Sequence, residues 1–175
     1  MTQTLEDLLD ALEDVDDATR EEAAKALAER AEPSTLDALI RACGDDFWSV
    51  RAYAGCGAAK ISGPKATEAL INLFNDPIIE VRNQVVDAVA TMGPVVVDRL
   101  ISALKDERWR VREHAAKAAG GIKNPKAVDA LIAACRDRDE AVKSAEEEAM
   151  GKIGNAKAVQ DLNKMFRDRT KHVRE

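Results

Sequence analysis

The dipeptide Val-Arg returns along this chain with a clock-like period. It occurs as Val50-Arg51, Val81-Arg82, Val111-Arg112 and Val173-Arg174, with Thr19-Arg20 and Val142-Lys143 as variants, so successive spacings are 31, 31, 30, 31 and 31 residues. Five residues before each pair stands an aspartate: Asp14, Asp45, Asp76, Asp106, Asp137 and Asp168. A fixed period in this range is the mark of stacked supersecondary units, each too small to bury its own apolar face.

Within each period the stretch before the aspartate places apolar residues three and four apart. Leu5, Leu8, Leu9 and Leu12 do so first, then Leu36, Leu39, Ile40 and Cys43, and the pattern runs on to Val159, Leu162 and Phe166. That spacing predicts one buried face of a short helix. A second helix of about 14 residues, the length of four turns, follows from the Val-Arg pair along an alanine-rich stripe such as Val111, Ala115, Ala118, Ala119 and Ile122. Pro33, Pro64, Pro94 and Pro125 punctuate the repeats where a second helix ends and the next first helix begins, because proline suits a first turn and opposes continuation of the preceding helix. The one short spacing falls in such a loop, at Met92-Gly93-Pro94.

First helices are thus predicted near 4–13, 34–43, 65–74, 95–104, 126–135 and 157–167. Second helices are predicted near 16–31, 47–62, 78–92, 108–122 and 139–153. The fold class is all-α, a right-handed solenoid of about five and a half two-helix repeats (1–32, 33–63, 64–93, 94–124, 125–155, and a half-repeat 156–175) forming a single domain. With aromatics at 3%, nine glycines and five prolines, a β-sandwich is excluded. The charged ending favours a polar terminal cap over a cut through a longer array.

Aspartate, an arginine six residues on, an alanine-rich second helix, glycine near its end, then proline and a leucine-rich first helix: this motif, as in Asp45, Arg51, Gly57, Pro64 and Leu70, resembles the HEAT-like repeat family, in its short-repeat branch named for phycobilisome lyases. The resemblance covers essentially the whole chain. It implies stacked helical repeats and a charge ladder, and it leaves function open, since the branch includes scaffolds, adaptors, pigment-lyase subunits and a metal hydroxylase.

The expected ladder consists of Asp14, Arg20, Asp45, Arg51, Asp76, Arg82, Asp106, Arg112, Asp137 and Lys143, each carboxylate in a tight turn where it caps the next helix and accepts from a guanidinium. The leucine column Leu8, Leu39, Leu70, Leu100, Leu131 and Leu162 is read as core. Cys43 and Cys135 share the register of Leu12, Phe74 and Leu104 and are read as small core hydrophobes. Glu146 and Glu147 stand where the preceding repeat has Ala115 and Ala116, so packing is expected to weaken toward the C-terminus.

Positions of the second helices that the core pattern leaves unused are the candidate binding surface, which the family resemblance puts on a concave side. They are Trp48, Tyr53, Cys56 and Lys60 in the second repeat; Ile79, Asn83, Gln84 and Asp87 in the third; Trp109, Arg110, Glu113, His114 and Lys117 in the fourth. Both tryptophans and the single tyrosine fall there. Large rigid side chains among charged neighbours are what a protein-binding hot spot requires.

The chain is therefore expected to be a non-catalytic scaffold or adaptor for a partner protein, without cofactor or metal, as a monomer or weak homo-oligomer. A bilin-lyase-like enzyme subunit or chaperone, and a nucleic-acid-binding repeat protein, are the alternatives. The first would rest on Cys56, Tyr53 and His114, which lack an orienting third group. The second would rest on Lys105, Arg108, Arg110, Arg112 and Lys117 around Trp109, diluted by Asp106, Glu107 and Glu113. Net charge −6 opposes general nucleic-acid binding. The charge is uneven: residues 1–46 hold 14 acids and 4 bases, a net of −10, against 18 acids and 22 bases in the other 129. No HExxH, CxxC or phosphate-cradling glycine motif is present. Three cysteines with no leader before them point to the cytoplasm, and no apolar run approaches the ~20 residues of a membrane span.

Overall fold

The helices of the computed structural model follow the 31-residue period as alternating short and long elements, ten α-helices having both ends within the described residues. The description covers residues 3–134, 137–154, 156–160, 163–164 and 167. The core positions Cys135, Leu162 and Phe166, and the repeat elements at Asp168 and Val173-Arg174, lie outside it. Among the described residues there is no β-strand. The chain forms two compact units, residues 1–92 and 93–175, which divide at the one short repeat spacing.

In the first unit, α1 (Leu5–Ala11), α3 (Leu36–Ala42) and α5 (Pro64–Leu73) are the first helices of three repeats, and α2 (Asp17–Arg30), α4 (Trp48–Ile61) and α6 (Ile79–Thr91) the second. In the second unit, α7 (Val97–Ala103) and α9 (Val128–Ala134) alternate with α8 (Trp109–Ile122) and α10 (Glu140–Ile153). Four of the first helices, α1, α3, α7 and α9, are shorter than the sequence pattern predicts, and three of these are preceded by a tighter turn. Pro33–Thr35, Gly93–Val96 and Pro125–Ala127 wind as 3-10 turns before the α-helix begins, a tighter geometry common at helix N-termini. Pro64 instead opens α5 directly, after Ser62 at φ 68° and Gly63 at φ 100°.

Each unit has its core between the two helix rows. Leu8, Leu39, Leu70, Leu100 and Leu131 are fully buried, as are Val50, Val81, Val111 and Val142 on the second helices. Second helices stack on one another through small residues: a β-carbon placed on Gly57 would lie 2.9 Å from Ala28 Cα, and one on Gly120 2.7 Å from Ala149 Cα. The alanine stripe therefore sets the distance between repeats. Cys43 is less enclosed than Leu39, yet packs against the same cluster, and burial pushes its thiol up to about 12.

Arginine joins consecutive repeats. Arg20 donates through Nε and Nη2 to the carboxylate of Asp45 at 2.8 and 3.0 Å, Arg51 to Asp76 at 2.6 and 2.9 Å, and Arg112 to Asp137 at 2.6 and 2.9 Å. The partner lies 25 residues ahead, in the next repeat. Nη1 of the same arginine turns back to carbonyls of its own inter-helix turn: Asp14 for Arg20, Asp45 and Asp46 for Arg51, Asp106 and Glu107 for Arg112. Each aspartate also accepts the backbone N–H two residues on, as Asp45 does from Phe47 and Asp137 from Asp139. The carboxylate thus braces the turn and does not cap N2 or N3 of the helix.

Three expected rungs differ. Arg82 donates Nη1 to the carbonyls of Asp76 and Pro77, while its buried Nε has no hydrogen-bond partner among the described residues. Asp106 accepts from Nε and Nη2 of Arg108, two residues away, which holds its carboxyl below the usual range. Lys143 reaches Glu140 at 2.5 Å, a one-point contact in place of the planar fork that arginine supplies. Asp14, first in the column, accepts the N–H of Asp16.

Two measurements test this account. Gly120→Val should cost about 1–3 kcal/mol by overpacking against Ala149, whereas Gly151→Ala, in open space within α10, should gain about 1 kcal/mol from helix propensity; thermal unfolding of both checks the contrast. The Arg112 guanidinium, ahead of the opposing effect of burial, holds the Asp137 carboxyl below its ordinary 3.8. The stability from that pairing is present above the ordinary aspartate range and is lost as pH falls through and below it. Arg112→Ala should therefore cost about 3 kcal/mol in urea denaturation at neutral pH, and progressively less below pH 4.

Candidate functional site

The first residues of the second helices share one register and one exposure. Trp48, Ile79 and Trp109 open α4, α6 and α8, where the first turn projects beyond the buried valine two positions on. They are 38%, 53% and 38% exposed. Soluble chains scatter single apolar residues over their surfaces, but here the same register carries one in three repeats.

In the first unit the face continues from Trp48 through half-buried Tyr53 and Cys56 to Lys60 on α4, and from Ile79 through exposed Asn83, Gln84 and Asp87 on α6. Lys60 Nζ donates to the Ala28 carbonyl at 2.8 Å, tying α4 to the end of α2. Burial raises the Cys56 thiol; Lys60 opposes the shift and Asp87 adds to it. A reactive cysteine needs the reverse, an environment that favours thiolate.

In the second unit Arg110 stacks its guanidinium over the Trp109 ring, 4.8 Å from the centroid, a cation–π contact. Glu113 and Lys117 pair at 2.5 Å across one turn of α8. Lys117 also lies near Glu148 on α10, helping to hold that carboxyl down after the Lys152 hydrogen bond. His114 does not belong to this surface. Expected as a partner-binding residue, it is 1% exposed, with its Nδ1–H donated to the Arg110 carbonyl at 2.7 Å. The same register holds half-buried Tyr53 and exposed Gln84 in the first unit but buried Ala145 in the second, where it faces inward. Ser49 and Ala52, on the same stretch of α4, are buried as well.

Glu146, whose register suggests only weaker packing, is fully buried on α10, close enough to Arg112 of α8 to feel its charge. The signal was its register, shared with Ala23, Ala54, Val85 and Ala115. A cleft of about 680 Å³ also opens at the ends of α7 and α9, walled by Ala130, Ala133 and Ala134; none of the candidate binding residues lines it. Among the described residues no three His, Cys, Asp or Glu side chains gather as a metal site, and no helix is long and apolar enough to cross a membrane.

Known proteins share this fold of stacked helical repeats. The sequence pattern of HEAT repeats matches residues 5–90 and 97–175. Similar solved structures include an archaeal HEAT-like repeats protein from Thermococcus onnurineus NA1 (17% identity, TM-score 0.56, 93% of this chain and 77% of that one). The complex of CpcE and CpcF of phycocyanin lyase from Nostoc sp. PCC7120 is similar at 22% identity and TM-score 0.55, over 88% and 66% of the two chains. An engineered protein is similar at 23% identity and TM-score 0.54, over 93% and 85%. At such identities the likeness is one of fold. No curated protein matches the chain in sequence.

The state of the thiols is testable directly. Site-resolved alkylation at pH 8, read by mass spectrometry, should label Cys43 and Cys56 at least about tenfold more slowly than a free thiol of ordinary pKa. Rapid labelling of Cys56 would restore a case for nucleophilic chemistry.

Proposed function

The chain belongs to the HEAT-repeat family, and from that premise we propose that it is a non-catalytic scaffold that binds a partner protein along the second-helix face of each unit. The observation that carries this reading is the shared exposure of Trp48, Ile79 and Trp109 at one register. No rung, core column or helix-helix contact described above uses those side chains. Residues spent on structure are buried in this protein, and these three are the large apolar groups left outside at the same place.

In the first unit Trp48, Tyr53 and Ile79 supply the apolar anchors, with Cys56, Lys60, Asn83, Gln84 and Asp87 as the polar surround. In the second, Trp109 is the anchor, and Arg110, Glu113 and Lys117 are the surround. Aromatic anchors lose little conformational entropy on binding, and the charged rim excludes water and sets register. A helical or extended segment of the partner laid across α4 and α6 would meet Trp48 and then Ile79, about 8–10 Å apart. Free thiols at Cys43 and Cys56 suit a reducing compartment, which supports the cytoplasm as the place of action. The repeats need no cofactor to hold this face, and a monomer or weak homo-oligomer presents it.

The test pairs capture with a fold control. Trp48→Ala with Trp109→Ala should leave far-UV circular dichroism unchanged while reducing recovery of the co-purifying protein at least tenfold, about 1.4 kcal/mol or more of lost affinity. A partner recovered equally well by the double variant would place binding elsewhere.

A further inference from the structure

Glu146 sits in the middle of α10 with its side chain wholly enclosed, 0% exposed, and neither carboxyl oxygen has a hydrogen-bond partner among the described residues. The other repeats put Ala23, Ala54, Val85 and Ala115 at this register, so the stack has no structural need of a carboxyl here. A buried, unpartnered acid is costly to keep, and more costly once ionised.

The groups around it define what ionisation would do. From α8 comes Arg112, already committed through Nε and Nη2 to Asp137. From the turn before α10 comes Asp137 itself, a like charge, and from α10 comes Glu147, another. The remaining charged side chains of α8 have their own arrangements: Glu113 pairs with Lys117, Arg110 stacks on Trp109, and His114 donates to the Arg110 carbonyl. On α10 itself Lys143, one turn before Glu146, pairs with Glu140, and α9 carries one charged residue, Asp129, which is exposed and paired with Lys157. Burial first, then Asp137, push the Glu146 carboxyl up to about 8, against the pull of Arg112.

We propose that Glu146 is a proton-operated latch on the α8–α10 interface: neutral, it packs as part of the small-residue face, and ionised, it competes with Asp137 for Arg112 and loosens α10 from α8. The proton passes to solvent when the interface opens and is taken back when it closes. The latch acts on the second unit alone, because the equivalent positions of the first unit hold only apolar side chains. It does not depend on what the second-helix face binds.

The sign follows from linkage. The closed carboxyl binds its proton more tightly than the open one, so closure is fully favoured below the ordinary glutamate range, weakens as pH rises, and levels off above about 8. Hydrogen exchange of the full chain, corrected for intrinsic rates and read on peptides from α10 with α4 as the internal control, tests this between pH 5.5 and 9. Protection in α10 should fall by up to about tenfold per pH unit to pH 8 and then flatten, while α4 shows no such slope. Glu146→Gln and Glu146→Ala should each abolish the slope, and the alanine form, which restores the residue of the neighbouring repeat, should be the better protected at high pH. A slope that persists in both variants, or its absence from the native chain, overturns the latch.

Discussion

The bidentate bond from an arginine to the aspartate 25 residues ahead is the constraint on which the stacked structure rests. One guanidinium satisfies three tasks at once. Its Nε and Nη2 hold the next repeat, its Nη1 gathers the carbonyls of its own turn, and the aspartate it holds braces the following turn through a backbone N–H. A planar fork fixes direction as well as distance, so the repeat length is confined: a residue gained or lost between arginine and aspartate would break the geometry unless a loop absorbs it. Among the described residues the first unit has two complete rungs and the second has one, and each ties one inter-helix turn to the next.

The second constraint is size. Gly57 and Gly120 approach Ala28 and Ala149 so closely that a methyl group would collide with backbone. Second helices therefore stack at a spacing set by the smallest residues, while the leucine column of the first helices supplies the larger side chains of the core. Phe74 fills a core position of the first unit, while both tryptophans remain half outside. Small residues thus line the contact stripe of these helices, while the large exposed ones stand in the first turn.

Much of this was legible in the residues themselves. Every helix lies within a few residues of where the apolar spacing predicts it, because burial on one face imposes a 3.6-residue pattern that the 31-residue period repeats. Residues such as Trp48, Ile79 and Trp109 could be set apart because five registers of comparison show which positions the core consumes. His114 and Glu146 escaped that logic. Each carries a polar type into a register where other repeats differ, and whether such a side chain turns out or in depends on the volume left by the neighbouring repeat. For His114 the neighbours left room and a carbonyl to accept its N–H; for Glu146 they left room and no partner.

By itself, the sequence determined the period, the two-helix unit, the core columns and the family to which the chain belongs, since all of these are imprinted as residue type at fixed intervals. Only the tertiary structure decided which carboxylate each arginine takes, that Arg82 ends on the carbonyls of its own turn while Asp106 falls to Arg108, that proline-led segments wind as 3-10 turns, and that an acid lies sealed between α8 and α10. Those outcomes turn on which groups lie within hydrogen-bond reach once the helices are packed. A linear pattern records which residues recur; the gap between two packed helices decides which of them meet.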